Sequence, residues 1–107
     1  MNKIIKIALG ATLLLTLGTT SVNAEAEKGQ KYYMKKLKKA CGISGGAMAS
    51  KHTQEEWQKI NADGEIIAEI KTICPNAKDS SLKDKYLGHY FDFFFEFASD
   101  SGNIPAC

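Results

Sequence analysis

Apolar and polar residues alternate with a helical period along most of this chain. Across residues 27–41, Tyr33, Leu37, Ala40 and Cys41 recur at intervals of three and four, while Lys31, Lys35, Lys38 and Lys39 fall mostly elsewhere. That spacing predicts an amphipathic helix, supported by Glu27 four residues ahead of Lys31. The run 42–50 then breaks the pattern with Gly42, Gly45 and Gly46 and almost no bulk, so a sharp turn is expected there. Thr53-Gln54-Glu55-Glu56 fits a capping box and predicts a short helix to about Ala62, with Trp57 and Ile60 facing inward and Asp63-Gly64 as its stop. Ile66, Ile67, Ile70, Ile73 and Cys74 form a further helical stripe ended by Pro75. The β-branched residues of that stripe would suit a strand, but their spacing is not two, and a helix is expected.

The final element carries the heaviest apolar load. Ser81-Leu82-Lys83-Asp84 offers a helix start. Leu82, Tyr86, Leu87, Tyr90, Phe91, Phe94 and Phe95 follow, and all five Phe of the chain fall between Phe91 and Phe97. So wide an aromatic surface has to be covered, so this helix is expected to be the spine of the core. The fold predicted is all-α, with about four helices and the first and last crossing.

Composition alters this picture at one end. Residues 1–24 hold Lys3 and Lys6, an apolar run too short to span a bilayer, and a Val22-Asn23-Ala24 exit, the pattern of a secretory signal peptide. The domain proper is therefore residues 25–107, and a periplasmic, secreted location is expected. Of the 14 basic residues two lie in this leader, which leaves basic and acidic residues balanced in the domain. A general nucleic-acid binder is disfavoured, because phosphate neutralisation needs an excess of positive charge. No membrane association is expected once the leader is removed.

A domain this small gains little margin from burial alone, so a covalent staple is expected in an oxidising compartment. Three cysteines are available, Cys41, Cys74 and Cys107, so one pair forms and one sulfur is left over; three single pairings are open. A metal site of the three sulfurs with His52 is disfavoured, because paired Cys-x-x-Cys spacing is missing. Neither a Ser-His-Asp set, a paired-carboxylate pocket nor a phosphate loop followed by Lys is evident, so no catalytic residue is assigned.

Several segments together resemble small periplasmic class I cytochrome c domains. These are Lys28-Gly29-Gln30-Lys31-Tyr32-Tyr33, then Lys39-Ala40-Cys41-Gly42-Ile43-Ser44-Gly45-Gly46, Lys51-His52-Thr53 ahead of Trp57, and the aromatic closing helix from Asp84. The resemblance implies a c-type haem, electron transfer, and a first helix crossing the last. At the spacing of the attachment motif Cys41 stands at the first Cys, but Ser44 replaces the second and Gly45 the histidine. By resemblance the haem pocket would be Cys41, Ser44, Gly45, Met48 and His52, with His52 and Met48 as axial ligands and Met34 and His89 the remaining donors. Cys41 on haem would leave Cys74 to pair with Cys107, which would also tie down the tail. Lys35, Lys36, Lys38 and Lys39 would form the rim for an acidic redox partner. The alternative is a haem-free, disulfide-stapled helical module for binding or interaction, with side chains filling the space under the Phe-rich helix.

Overall fold

The computed structural model describes residues 24–103, and the predicted signal peptide lies outside them apart from Ala24. The described residues are helical with no strand, and the predicted helices are all present. The first begins as α1 (Ala24–Tyr32), passes through a π turn (Tyr33–Leu37) and ends as α2 (Lys38–Cys41). In the π turn the Lys38 N–H reaches back to the Tyr33 carbonyl, and the extra residue keeps both Tyr33 and Leu37 on the buried face. Gly42, at φ +72°, takes the left-handed conformation that ends α2.

The glycine-rich run is not only a turn. It folds into a short helix, α3 (Gly45–Ala49), because the Ser44 Oγ accepts the Ala47 N–H at 3.1 Å and caps it. The next helix, α4 (Gln54–Ala62), starts with the expected capping box: Thr53 Oγ1 accepts the Glu56 N–H, and Glu56 Oε1 accepts the Thr53 N–H. Thr53's backbone N–H, and after it the His52 side chain, hold the Glu56 carboxyl below its ordinary value. Gly64, at φ +73°, makes the stop, and α5 (Ile66–Ile73) follows. After a single 3-10 turn, Asp79–Ser81, the last helix α6 runs Asp84–Glu96. Its start departs from expectation: Lys83 is the N-cap residue without a side-chain cap, and Ser81 instead donates its hydroxyl to the Lys36 carbonyl.

The first and last helices cross, with Gly29 of α1 seated directly on the His89 carbonyl of α6. Below that crossing, Tyr33, Leu37, Met48, Trp57, Ile70, Tyr90, Phe93 and Phe94 are wholly buried. Trp57 stacks on Phe94 with ring centroids 4.6 Å apart, and Tyr33 and Tyr90 meet the same Phe at 6.4 and 6.3 Å. Phe91 and Phe95 are only half-buried, so the aromatic stripe is wider than the core it serves. The polar tips of the three buried Tyr and Trp side chains each find a carbonyl: Tyr33 Oη donates to Ile43, Tyr90 Oη to Ser81, and Trp57 Nε1 to Ala49 at 2.7 Å. Burial pushes the Tyr90 hydroxyl well above its ordinary pKa, so it stays a neutral donor.

Trp57→Phe is expected to cost about 2 kcal/mol, because it removes the donor to a buried Ala49 carbonyl and part of the stack on Phe94. A fall in the urea midpoint at unchanged m-value is the check, and an unchanged midpoint refutes it.

Candidate functional site

The one covalent link in the described residues joins Cys41, at the end of α2, to Cys74, just after α5, with Cα atoms 4.7 Å apart. The expected Cys74–Cys107 pairing is thereby corrected: Cys74 already has Cys41 as its partner, and Cys107 lies outside the described residues. Geometry explains the choice, since the last turn of the first helix and the C-terminus of α5 sit side by side.

The bridge and the packing around it also bear on whether the expected donors fit a haem. A thioether to haem needs the Cys41 sulfur, which is bonded to Cys74. Ser44 is the α3 cap, and Gly45 opens that helix from a buried position. Met48 is wholly buried in the core. His52 has both ring nitrogens engaged, Nε2 with Glu69 Oε2 at 2.7 Å and Nδ1 with Glu56 Oε1 at 3.3 Å, and its ring packs edge-on against Trp57. Aromatic side chains pack the space under α6. Each residue expected in a haem pocket is thus engaged elsewhere, with no free sulfur at Cys41 and no free imidazole nitrogen at His52, and the set does not fit the group.

The structure assembles a different site. Lys35, Lys36, Lys39 and Ala40 of the first helix face Asn76, Lys78, Ser80 and Ser81 of the α5–α6 connection across an open groove of about 540 Å³. Two links join the chain segments on its two sides, the Cys41–Cys74 bridge and the Ser81 hydroxyl on the Lys36 carbonyl at 3.3 Å. Among the described residues none of its four lysines has a carboxylate within ion-pair distance. The nearby Asp79 is taken by Lys71. The Lys36 ammonium sits 4.5 Å above the Tyr86 ring, and its hydrogen bond holds that phenol below the usual tyrosine value. Field lines from four unneutralised ammonium groups on one concavity make it an anion-attracting surface.

Of the lysines expected to form a rim, Lys35, Lys36 and Lys39 line this groove, whereas Lys38 lines only a neighbouring hollow, shared with Lys39, Met34 and Ser44. Lys78 is the member that sequence reasoning missed. Its only signal is its place four residues after Cys74, which matters once Cys74 is known to pair with Cys41. No described helix is long and apolar enough to cross a membrane. No protein-family model, curated protein or solved structure matches this chain.

Proposed function

We propose that this protein is an exported, haem-free, disulfide-stapled helical module that docks an acidic segment of a partner protein in the lysine groove. The single observation that carries this reading is the set of four lysines, Lys35, Lys36, Lys39 and Lys78, converging without carboxylate partners among the described residues. Lysine suits separate carboxylates on a flexible segment, because it acts as a point charge on a mobile stem. Bidentate recognition of carboxylate or phosphate favours the planar fork of arginine, and the chain has no arginine, so this groove acts through point charges. Asn76 and Ser80 add neutral donors and acceptors for the backbone of such a segment. The balanced charge of the domain as a whole argues against a nucleic-acid partner, whose binding would draw on a wider basic surface.

The test is fluorescence anisotropy with a labelled Glu-rich peptide. Saturable binding is expected at low salt, weakening as salt rises. The double reversal Lys35→Glu with Lys39→Glu should weaken it by roughly tenfold or more, through loss of complementary charge at the rim. Binding untouched by the reversal overturns the reading. So does tighter, lysine-dependent binding of duplex DNA or of vesicles containing anionic lipid. Production alongside a cytochrome c maturation system supplies the second arm, in which a Soret band that survives acid-acetone extraction would overturn the haem-free assignment.

A further inference from the structure

The second histidine stands in contrast to the first. His52 is fully engaged by two carboxylates. The Nδ1 of His89 is buried yet has no hydrogen-bond partner, although its ring is a quarter exposed overall. A buried nitrogen left in this state is unusual and calls for a physical reason. Its surroundings supply one. Glu25 Oε1 lies 3.4 Å away, within ion-pair reach but outside hydrogen-bonding geometry. The Asp92 carboxylate comes from the same helix three residues on, a spacing that puts both side chains on one face. One ligand atom from each of Glu25, His89 and Asp92 lies within 4.8 Å of the others.

We propose that Glu25, His89 and Asp92 form a binding site for a borderline divalent cation of the Zn²⁺ type, held between the first turn of α1 and the middle of α6.

Three observations beyond the donor list support the site. Ligand atoms about 2.1 Å from a tetrahedral zinc lie roughly 3.4 Å apart, which the Glu25–His89 pair already matches. The Glu25 side chain is exposed, so packing does not fix its carboxylate. Two carboxylates balance the charge of a divalent cation. One imidazole with two carboxylates suits zinc-like cations better than calcium or magnesium, which prefer all-oxygen sets. Glycine makes the arrangement available, since Gly29, one turn after Glu25, brings α1 against the His89 carbonyl.

The experiment titrates Zn²⁺ into the exported form of the protein by calorimetry and follows the His89 ring nitrogens by ¹⁵N NMR. One equivalent of zinc is expected to bind, with the metal-induced shift on Nδ1. An outer partner of a zinc ligand is worth about 10–100-fold in affinity, so loss of a direct ligand should cost at least that much. His89→Gln and Asp92→Asn should each weaken binding by this amount. Glu25→Gln, a change at an exposed side chain, should weaken it by at least tenfold. His52→Gln is the control and should leave zinc affinity unchanged, with circular dichroism confirming that all variants are folded. No zinc uptake at 100 µM metal, uptake indifferent to His89→Gln and Glu25→Gln, or uptake lost on His52→Gln instead would each overturn the proposal.

Discussion

Reducing the Cys41–Cys74 bridge is expected to lower the melting temperature of this protein by about 20 °C. The bridge closes a loop with a sequence separation of 33 residues. On the chain-entropy model a loop of that size stabilises the fold by about 4 kcal/mol, because the reduced unfolded chain regains the freedom that the bridge had removed. A domain of this size holds only about 5–15 kcal/mol in total, and each kcal/mol moves its midpoint by about 4–8 °C. Thermal unfolding with and without a phosphine reductant reads the effect. The double variant Cys41→Ala with Cys74→Ala separates it from any chemistry at Cys107. Peptide mapping of the oxidised protein should recover Cys41 linked to Cys74. A midpoint shift below 5 °C, or a mapped bridge to Cys107, refutes the assignment. The same treatment should weaken the acidic-peptide interaction, because the bridge holds Lys78 opposite Lys39 across the groove.

Gly29→Ala is expected to destabilise the fold by about 3 kcal/mol. A Cβ at this position would lie 1.9 Å from the His89 carbonyl oxygen, 2.7 Å from its carbon and 2.8 Å from the Phe93 Cβ. The first two are backbone atoms of a helix and cannot rotate aside, so α1 and α6 have to move apart at their closest approach. Overpacking of this kind costs typically about 1–3 kcal/mol, and the upper end applies where neither side can yield. Alanine would by itself favour the helix by about 1 kcal/mol over glycine, so the clash has to exceed that gain. Gly88, on α6 and adjacent in sequence to His89, is the internal control, because a Cβ there meets nothing within 4 Å. Gly88→Ala should be neutral or stabilising by up to about 1 kcal/mol. Chemical denaturation of the two variants side by side checks the pair, and equal effects would show that the crossing does not depend on Gly29.

Much of the local structure could be read from the chain because its cause is local. Thr53 and Glu56 cap α4 from three residues apart, Gly64 supplies the left-handed stop, and Pro75 closes off the helix before it. The Phe-rich helix declared itself as core because that much aromatic surface has to be covered, although Phe91 and Phe95 stay half-buried. The start of α6 and the helix α3 were less legible. Ser81 spends its hydroxyl on a carbonyl 45 residues away, and Ser44 has enough capping strength to turn a glycine-rich run helical.

The candidate site was legible only in part. Lys35, Lys36 and Lys39 stand out in sequence, but nothing nearby separates them from Lys38 or joins them to Lys78. Resemblance to cytochrome c domains placed Cys41, Ser44, Gly45, Met48 and His52 in one pocket. Packing sends each to a different task, as bridge, cap, helix start, core and hydrogen-bond centre.

The amino-acid sequence alone determined the helical class, the helix limits near Thr53 and Gly64, and the identity of the core helix. Each follows from side-chain periodicity or from backbone preferences acting over a few residues. Tertiary structure alone decided which cysteine Cys74 joins, which lysines share a groove, and how Glu25 comes to lie beside His89. Those outcomes depend on distances between residues far apart in the chain, and such distances are set only when helices pack, here at the point where Gly29 lets α1 and α6 touch.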